Sequence, residues 1–243
     1  MTQTDTSLPV AAGDNELAET LGLPLLADRP AAALVVERSG GAIQLRDVRP
    51  GAPGPIRAEF LDERARRRLR EAKRSLLARA CGVKPGAPQP RVFDCTAGLG
   101  RDAFALACAG CEVVAIERSI VLALMLEDGL RRAAEGGLDE QTGRVKLVRG
   151  DAREHLADAE GATIYLDPMF PERRKSAAVK KEMRYLAALL GEESDGAELF
   201  KAAAESRRRV VVKRPLHAPR IAATPQPAHT FKGRSVRYDV YLF

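Results

Sequence analysis

The chain has 243 residues, of which 45% are hydrophobic and 30% are charged, so it carries enough apolar side chains for a globular core. This length suits one large α/β domain, or one domain with a small appendage. The net charge of +6 is compatible with a polyanionic partner such as nucleic acid but does not require one. The sequence contains neither a membrane-spanning apolar stretch nor the pattern of a secretory signal. We therefore expect a soluble, cytoplasmic protein.

The cysteine pattern does not predict a metal site. Two of the four cysteines, Cys108 and Cys111, form a single C-x-x-C pair. A structural zinc site usually needs a second such pair or suitably spaced histidines. The three histidines, His155, His217 and His229, are scattered along the chain. We expect reduced thiols and no bound metal.

Residues 1–82 predict a small N-terminal α+β subdomain, although the first dozen residues show little pattern. Residues 32–48 predict two short strands joined at Ser39-Gly40-Gly41, a hairpin signal. Residues 60–82 predict one helix that ends near Gly82. Its cationic side chains are dense enough to follow a nucleic-acid backbone, and a solvated helix face explains them equally well. They are Arg64, Arg66, Arg67, Arg68, Arg70, Lys73, Arg74 and Arg79.

Residues 83–243 predict a second, larger domain that begins in a Pro- and Gly-rich joint. Short apolar runs alternate there with helix-like stretches, which predicts a mainly parallel sheet with helices on both faces. The apolar runs are residues 92–93, 113–116, 145–148, 162–166 and 210–212. Apolar and polar residues alternate from 236 to 242. This alternation predicts a C-terminal hairpin whose last strand closes the sheet in the antiparallel direction.

A glycine-rich turn follows the first strand of the larger domain. Residues 91–119 predict a strand, this turn, a helix and a second strand that ends in Glu117. In a doubly wound sheet, ligands bind where such loops leave the carboxyl ends of the strands. Gly98 and Gly100 allow tight turns and a close approach of a ligand. Glu117 is placed to accept hydrogen bonds from both hydroxyl groups of a ribose.

Two cofactors fit this turn. Gly98, Gly100 and Ala103 match the dinucleotide signature G-x-G-x-x-G/A. However, Asp94 and Asp102 would place carboxylates near a pyrophosphate, whereas they suit a ligand with an amino group and a sulfonium. The D-x-x-x-G-x-G spacing therefore favours S-adenosylmethionine over a nicotinamide or flavin dinucleotide. A structural turn that binds no ligand is the third interpretation.

Asp151 follows the third strand of the predicted sheet, beside the position expected for an adenine. An acceptor there could bind the adenine amino group. Aspartate is also a good N-cap for the helix predicted to follow. The pattern does not separate the two roles, and one residue could serve both.

An acid-proline-aromatic corner, Asp167-Pro168-Met169-Phe170, follows the fourth strand. It resembles the N/D-P-P-Y/F loop of amino-methyltransferases, with Met169 where many of them have a second proline. In that arrangement, the Asp167 carboxylate and the Pro168 carbonyl each accept one hydrogen of a weakly nucleophilic amine, and Phe170 stacks on the base. We expect these three residues to be catalytic. An ordinary strand-ending turn is the alternative.

A run of basic residues follows the corner directly, and two more end the next strand. They could hold the phosphates that flank a target nucleotide, or they could form a solvated charged face. They are Arg173, Arg174, Lys175, Lys180, Lys181, Arg184, Lys213 and Arg214.

The chain resembles the RsmJ family of bacterial small-subunit ribosomal RNA guanine-N2 methyltransferases in six segments that occur in one order: DCTAGLGRDAFALA, IERS, LEDGL, YLDPMFP, RKSAAVKKEMR and VVVKRP. The resemblance runs from about residue 91 to the C-terminus and is weaker over residues 1–90. It implies a class I Rossmann-like methyltransferase fold, S-adenosylmethionine as cofactor, and 16S ribosomal RNA or the small ribosomal subunit as partner. The implied cofactor contacts are Arg101, Asp102, Glu117, Arg118, Asp151, Ala152 and Asp167.

Three other functions stay open at the level of sequence. One is methyl transfer to another amine, such as an adenine or a glutamine side chain. The second is a dinucleotide-dependent oxidoreductase, in which the acid-proline-aromatic corner has no role. The third is a non-catalytic RNA-binding protein with the same fold. The residues alone do not select the acceptor.

Overall fold

The computed structural model describes residues 9–28, 31–168, 185, 189, 196–206, 208–219, 221 and 224–243. The strands are β1 (Val10–Ala12), β2 (Leu34–Ser39), β3 (Ala42–Asp47), β4 (Arg91–Asp94), β5 (Glu112–Glu117), β6 (Val145–Arg149), β7 (Thr163–Leu166), β8 (Arg209–Pro215), β9 (His229–Lys232) and β10 (Val236–Leu242). The helices are α1 (Asn15–Leu21), α2 (Glu63–Glu71), α3 (Leu76–Ala80), α4 (Arg101–Cys108), α5 (Ile120–Ala133), α6 (Asp139–Gly143), α7 (Ala152–His155) and α8 (Gly196–Glu205).

The N-terminal part forms a three-stranded sheet in the order β1-β2-β3. β1 pairs parallel with β2, and β2 and β3 form an antiparallel hairpin. The hairpin turn falls on Gly40 and Gly41, whose φ angles of 58° and 74° are strained for other residues. The hairpin predicted within residues 32–48 is therefore confirmed.

The single helix predicted over residues 60–82 is wrong, because the chain forms two helices there. α2 ends at Glu71, and a 3-10 turn covers Ala72–Arg74. Ser75 then adopts extended backbone angles, and its Oγ accepts the N–H of Ala78 at 3.1 Å. Ser75 thus caps a new helix, a local competition that apolar periodicity does not reveal.

The larger sheet has seven strands in the order β6-β5-β4-β7-β8-β10-β9. β4 to β8 are mutually parallel where they pair, and β10 runs antiparallel to both β8 and β9. The predicted α/β class, with a parallel sheet closed by an antiparallel C-terminal hairpin, is confirmed. The strand order reverses between β4 and β7, which makes their carboxyl ends the topological switch point of the sheet.

Alternate residues of the central strands enter two different cores. On β7, Tyr165 faces one core, and Ile164 and Leu166 face the other. The Tyr165 side also contains Leu34 and Leu45 from the small sheet, so one apolar core joins the N-terminal part to the larger sheet. The division into two folding units at residues 82 and 83 stays a prediction.

Helix α5 carries the contact between the two parts. Asp128 accepts the N–H of Ile43 at 3.0 Å and the Nε–H of Arg132 at 2.8 Å. Arg132 in turn donates to the Ala58 carbonyl. Next to this network, Gly129 lets the chain at Ala58 lie directly on the helix. The absence of a side chain at Gly129 therefore determines how closely the N-terminal part approaches.

We expect Gly129→Ala to lower the free energy of unfolding by about 1–3 kcal/mol, the usual cost of overpacking. An added Cβ would lie 2.6 Å from the Ala58 Cβ and 3.1 Å from its carbonyl oxygen. This reverses the sign of an ordinary helical Gly→Ala change, which stabilises by about 1 kcal/mol. Gly143→Ala is the matched control, because nothing lies within 4 Å of its Cβ position. Urea denaturation compares the two, and equal values would contradict the proposed contact.

Candidate active site

Acidic residues follow three neighbouring strands at one edge of the large sheet. Asp94 ends β4, Glu117 ends β5, and Asp167 comes directly after β7. Parallel strands bring their carboxyl ends to the same edge, here called the carboxyl edge. The fold therefore gathers carboxylates on both sides of the switch point, as the sequence predicts.

The glycine loop between β4 and α4 has the conformation that its residues predict. Gly98 and Gly100 have φ angles of 54° and 72°. A Cβ on Gly100 would lie 2.2 Å from a methyl group of Leu126, so the loop is pressed onto α5. At Gly98 the nearest atom to an added Cβ is 3.9 Å away. Gly98 thus keeps open space beside the backbone, which a bound ligand can use.

Glu117 is tied to the glycine loop from the neighbouring strand. Its Oε2 accepts the N–H of Gly98 at 2.7 Å, and its Oε1 accepts the N–H of Ser119 at 2.8 Å. Burial raises the pKa of Glu117, and these backbone hydrogen bonds oppose the shift. The Arg118 N–H adds a third backbone hydrogen bond, and since a carboxylate has about four acceptor sites, part of that capacity stays available for hydroxyl donors of a ligand.

Asp94 is almost completely buried, with 1% of its surface exposed. Burial and then the nearby charge of Asp102 raise the pKa of Asp94 to about 8. The N–H of Thr96 donates to its Oδ1 at 3.1 Å and opposes this rise. A cationic ligand beside Asp94 would favour its ionised form. The electrostatics at this position therefore suit a positively charged ligand better than a phosphate.

Lys213, on β8, joins two further carboxylates of the site. Its Nζ donates to Asp102 Oδ2 at 2.6 Å and to Asp167 Oδ2 at 2.7 Å. Burial opposes the charge on Lys213, but the two carboxylates outweigh it, and the pKa of Lys213 lies well above its ordinary value. Burial likewise opposes ionisation of Asp102, yet Lys213 and the Tyr165 hydroxyl, which donates at 2.6 Å, hold its pKa below the ordinary value. The group is therefore an ionised bridge.

The acid-proline corner is attached directly to the glycine loop. The backbone N–H of Asp167 donates to Thr96 Oγ1 at 2.7 Å, and Pro168 is buried. Thr96 was not among the predicted site residues, because its role depends on a contact across the switch point that sequence spacing does not show. Several predicted site residues lie outside the described part of the chain: Phe170, Arg173, Arg174, Lys175, Lys180, Lys181 and Arg184.

The phosphate contacts predicted for Lys213 and Arg214 stay predictions, and both side chains have partners within the protein. The ammonium of Lys213 lies between two carboxylates of the site, so it is already neutralised by the protein. Arg214 is only 5% exposed, and its guanidinium donates to the Pro219 carbonyl. A basic pair at the end of a strand suggests surface charge, but Arg214 is buried and the half-buried Lys213 is held by two acids.

The remaining predicted cofactor contacts lie around the same edge. Asp151 follows β6 and caps α7, with its Oδ1 accepting the N–H of Arg153 at 2.9 Å. The N-cap interpretation is thus confirmed, and an adenine contact stays a prediction. Ala152 is buried behind this cap. Arg101 begins α4, Arg118 follows β5, and both side chains are exposed.

The four cysteines are free thiols. Burial raises the pKa of Cys108 to about 12 and that of Cys111 to about 11, so neither side chain is a thiolate at neutral pH. Within the described ranges, no three His, Cys, Asp or Glu side chains are arranged to hold a metal ion. No helix in the same ranges is both long and apolar enough to cross a membrane.

The switch-point glycine loop, the acids at the strand ends and the antiparallel closing strand define a class I S-adenosylmethionine-dependent methyltransferase. A family model for SAM-dependent methyltransferases matches residues 16–243. The ribosomal RNA small subunit methyltransferase J of Pseudomonas fluorescens is 44% identical over 241 residues, covering 95% of this chain and 90% of the relative. The chain belongs to the ribosomal RNA small subunit methyltransferase J family.

Two further comparisons agree with this assignment. The family member from Thioalkalivibrio sulfidiphilus is 44% identical, over 93% of this chain and 91% of that protein. The crystal structure of a SAM-dependent methyltransferase from Neisseria gonorrhoeae has a TM-score of 0.70 at 30% identity, over 96% and 95% of the two chains. The enzyme therefore uses S-adenosylmethionine, as predicted, and the dinucleotide alternative is wrong.

The pKa of Asp94 leads to a prediction about stability. Its folded value of about 8 lies above the ordinary value of 3.8. As the pH rises through this window, the unfolded chain releases the proton while the folded chain keeps it, so this group destabilises the fold progressively. We expect the wild type to lose stability relative to Asp94→Asn between about pH 4 and pH 8.

Urea denaturation at pH 5 and pH 8 measures this difference. Asp158→Asn, at an exposed position, is the control and should change with pH as the wild type does. Parallel pH dependences of the wild type and Asp94→Asn would show that Asp94 ionises normally in the folded chain.

Proposed function

We propose that this enzyme transfers a methyl group from S-adenosylmethionine to the exocyclic N2 of a guanine in 16S ribosomal RNA. The names of its relatives support a small-subunit ribosomal RNA substrate. The guanine N2 acceptor rests on the resemblance of the sequence motifs. The observation that carries the proposal is the hydrogen bond from the Asp167 N–H to Thr96, because it attaches the amine-binding corner to the cofactor loop. A ribosomal substrate agrees with the predicted cytoplasmic location.

The carboxyl edge fits the cofactor in shape and charge. The cofactor supplies an electrophilic methyl group on a sulfonium. Gly98 leaves open space, Glu117 offers its remaining acceptor sites to the ribose hydroxyls, and Asp94 faces the positive charge. In this proposal the other contacts come from residues around the same edge: Gly100, Arg101, Asp102, Arg118, Asp151, Ala152 and Asp167.

The corner compensates for a weak nucleophile. The lone pair of an exocyclic amine is delocalised into the base, so the amine must be oriented and its developing positive charge stabilised. The carboxylate of Asp167 accepts one N–H and the carbonyl of Pro168 accepts the other, which supplies both effects. Proline suits this position because it has no N–H that could compete. Stacking of the base on Phe170 stays a prediction.

Lys213 acts on this corner as a positioning residue. An ionised carboxylate accepts the amine hydrogen, whereas a protonated one can donate its own. The ammonium of Lys213, 2.7 Å from Asp167 Oδ2, favours the ionised form and restricts rotation of the carboxylate. The same ammonium neutralises Asp102, so the two acids can lie close together without repelling each other.

We expect Asp167→Ala to lower kcat for methyl transfer by about 100-fold or more, the usual effect of losing a directed charge contact in an active site. Cofactor binding should also weaken. Asp167→Asn keeps an acceptor oxygen without the charge, so its kcat should lie between those of Asp167→Ala and the wild type. Tritium-labelled methyl transfer to 16S rRNA from a strain that lacks the gene measures turnover, and calorimetry measures cofactor binding. Near-normal turnover of Asp167→Ala would exclude its proposed role.

We expect Lys213→Met to shift the acidic limb of the kcat/KM–pH profile to higher pH. Removing the ammonium leaves two neighbouring carboxylates that repel each other, which raises the pKa of Asp167. Activity then requires a higher pH to keep this acid ionised. Lys213→Arg retains the charge and should shift the limb less. A uniform loss of activity at every pH would indicate a structural role only.

Modification mapping tests the reaction itself. Mass spectrometry of ribosomal RNA from cells with and without the gene should show the loss of one N2-methylguanine in 16S rRNA. Loss of a methyl group at an adenine, or at a protein glutamine, would replace the proposed acceptor by one of the other amines. Unchanged modification of both RNA and ribosomal proteins would contradict the proposal.

A further inference from the structure

A dense set of exposed cations lies on α2 and the 3-10 turn that follows it. Apolar contacts are made on the inner side, by residues such as Ala65 and Ala72. The cationic side chains of residues 64–74, here called the basic surface, are all exposed. They are Arg64, Arg66, Arg67, Arg68, Arg70, Lys73 and Arg74.

The basic surface borders the carboxyl edge through helix α4. Phe60, just before α2, stacks on Phe104 with ring centroids 4.4 Å apart. Arg68 and Leu69 line a shallow hollow together with Arg101 and Phe104. Because Arg101 and Phe104 belong to the first turn of α4, directly after the glycine loop, α2 is packed beside the cofactor site.

A second contact places the C-terminal end of the basic surface at the same edge. Val236 pairs with Pro215 at the end of β8, so the turn between β9 and β10 lies at the carboxyl edge. A Cβ on Gly233 in this turn would lie 3.3 Å from a methyl group of Leu76, the first residue of α3. Lys232, the last residue of β9, and Arg234 in the turn add two exposed cations beside the basic surface.

Repulsion between neighbouring cations destabilises α2, and a bound polyanion would remove this repulsion. Arg64 and Arg68 are like charges four residues apart on one helix, and so are Arg66 and Arg70. Such pairs destabilise a helix by about 0.2–0.5 kcal/mol each. Only Glu63 and Glu71 bring negative charge to residues 63–74, and Glu71 pairs with Arg67 at 3.2 Å. Binding a polyanion neutralises the repulsion and releases condensed counterions.

We propose that the basic surface, with Lys232 and Arg234, binds the phosphate backbone of the ribosomal RNA next to the target nucleotide. Residues 64–74 extend over about 15 Å of helical rise, which corresponds to about four phosphates of one strand. Phosphate contacts position a nucleic acid without reading its sequence. This surface thus supplies affinity and orientation, while the site at the carboxyl edge supplies the chemistry. The inference rests on the proposed function only in that the partner is RNA.

The test removes three charges that are distant from the proposed catalytic residues: Arg66→Gln, Arg70→Gln and Arg74→Gln in one variant. Glutamine keeps good helix propensity. The control replaces three exposed lysines elsewhere by glutamine, at Lys84, Lys146 and Lys201. It therefore has the same net charge as the arginine variant. Binding of 16S rRNA from a strain that lacks the gene is measured over a series of salt concentrations. Methyl transfer and cofactor binding are measured in parallel.

We expect the arginine variant to reduce the slope of log K against log salt by about 2–3, since each lost phosphate contact contributes about 0.7–0.9. The KM for RNA should rise about tenfold or more, with kcat at saturating RNA and cofactor affinity unchanged. The lysine control should keep the wild-type slope and KM. Equal effects in the two variants, or no change in either, would overturn the inference.

The measurements separate this inference from the proposed reaction. Wild-type enzyme that binds 16S rRNA with the expected salt dependence but does not methylate guanine would contradict the reaction alone. Methyl transfer that persists with an unchanged RNA affinity in the arginine variant would contradict the basic surface alone. Wild-type enzyme that does not bind 16S rRNA would overturn both.

Discussion

The bridge formed by Lys213 is the interaction on which the active-site edge depends. It joins Asp102 from the first turn of α4 to Asp167 after β7, and strand register makes this contact possible. Leu166 on β7 pairs with Val212 on β8, so the next residues, Asp167 and Lys213, lie side by side. Without a cation at this position, burial and mutual repulsion would favour protonation of both acids. The contact between Lys213 and the corner is therefore a consequence of the pairing between two buried strands.

Around this edge, acidic side chains lie inside the fold and basic side chains lie on its surface. Inside, burial raises the pKa of Asp94 and of Glu117, which shows that the chain itself does not fully compensate these acids. Outside, the basic surface presents cations at high density. A cationic cofactor would favour the ionised form of these inner acids, whereas a phosphate would not, and the exterior cations attract phosphate. Under the proposed function, a flipped base reaches the carboxyl edge while its phosphates stay on the basic surface.

The sequence predicts those features that depend on periodicity and strand ends. Alternating apolar runs predict the sheet, the glycine spacing predicts the loop, and acids after the strands predict the edge that they share. It does not predict contacts that depend on register or on local competition. Lys213 follows an apolar run in a basic chain and therefore resembles a surface charge, although register places its ammonium between two acids. Ser75 interrupts a helical pattern only because its hydroxyl caps the next turn, and the apolar spacing continues across it.

The N-terminal part is coupled firmly to the catalytic part. One apolar core includes residues of both sheets, and Phe60 stacks on the helix that follows the glycine loop. At Gly129 the two parts approach so closely that one added methyl group would collide with Ala58. Close-packed contacts of this kind resist sliding and rotation. A phosphate held on the basic surface would therefore lie at a fixed distance from the glycine loop and, through Thr96, from Asp167. Phosphate contacts carry no sequence information. The target nucleotide would therefore be selected by the shape of the RNA, which must bring its base to the corner while its phosphates lie on the basic surface.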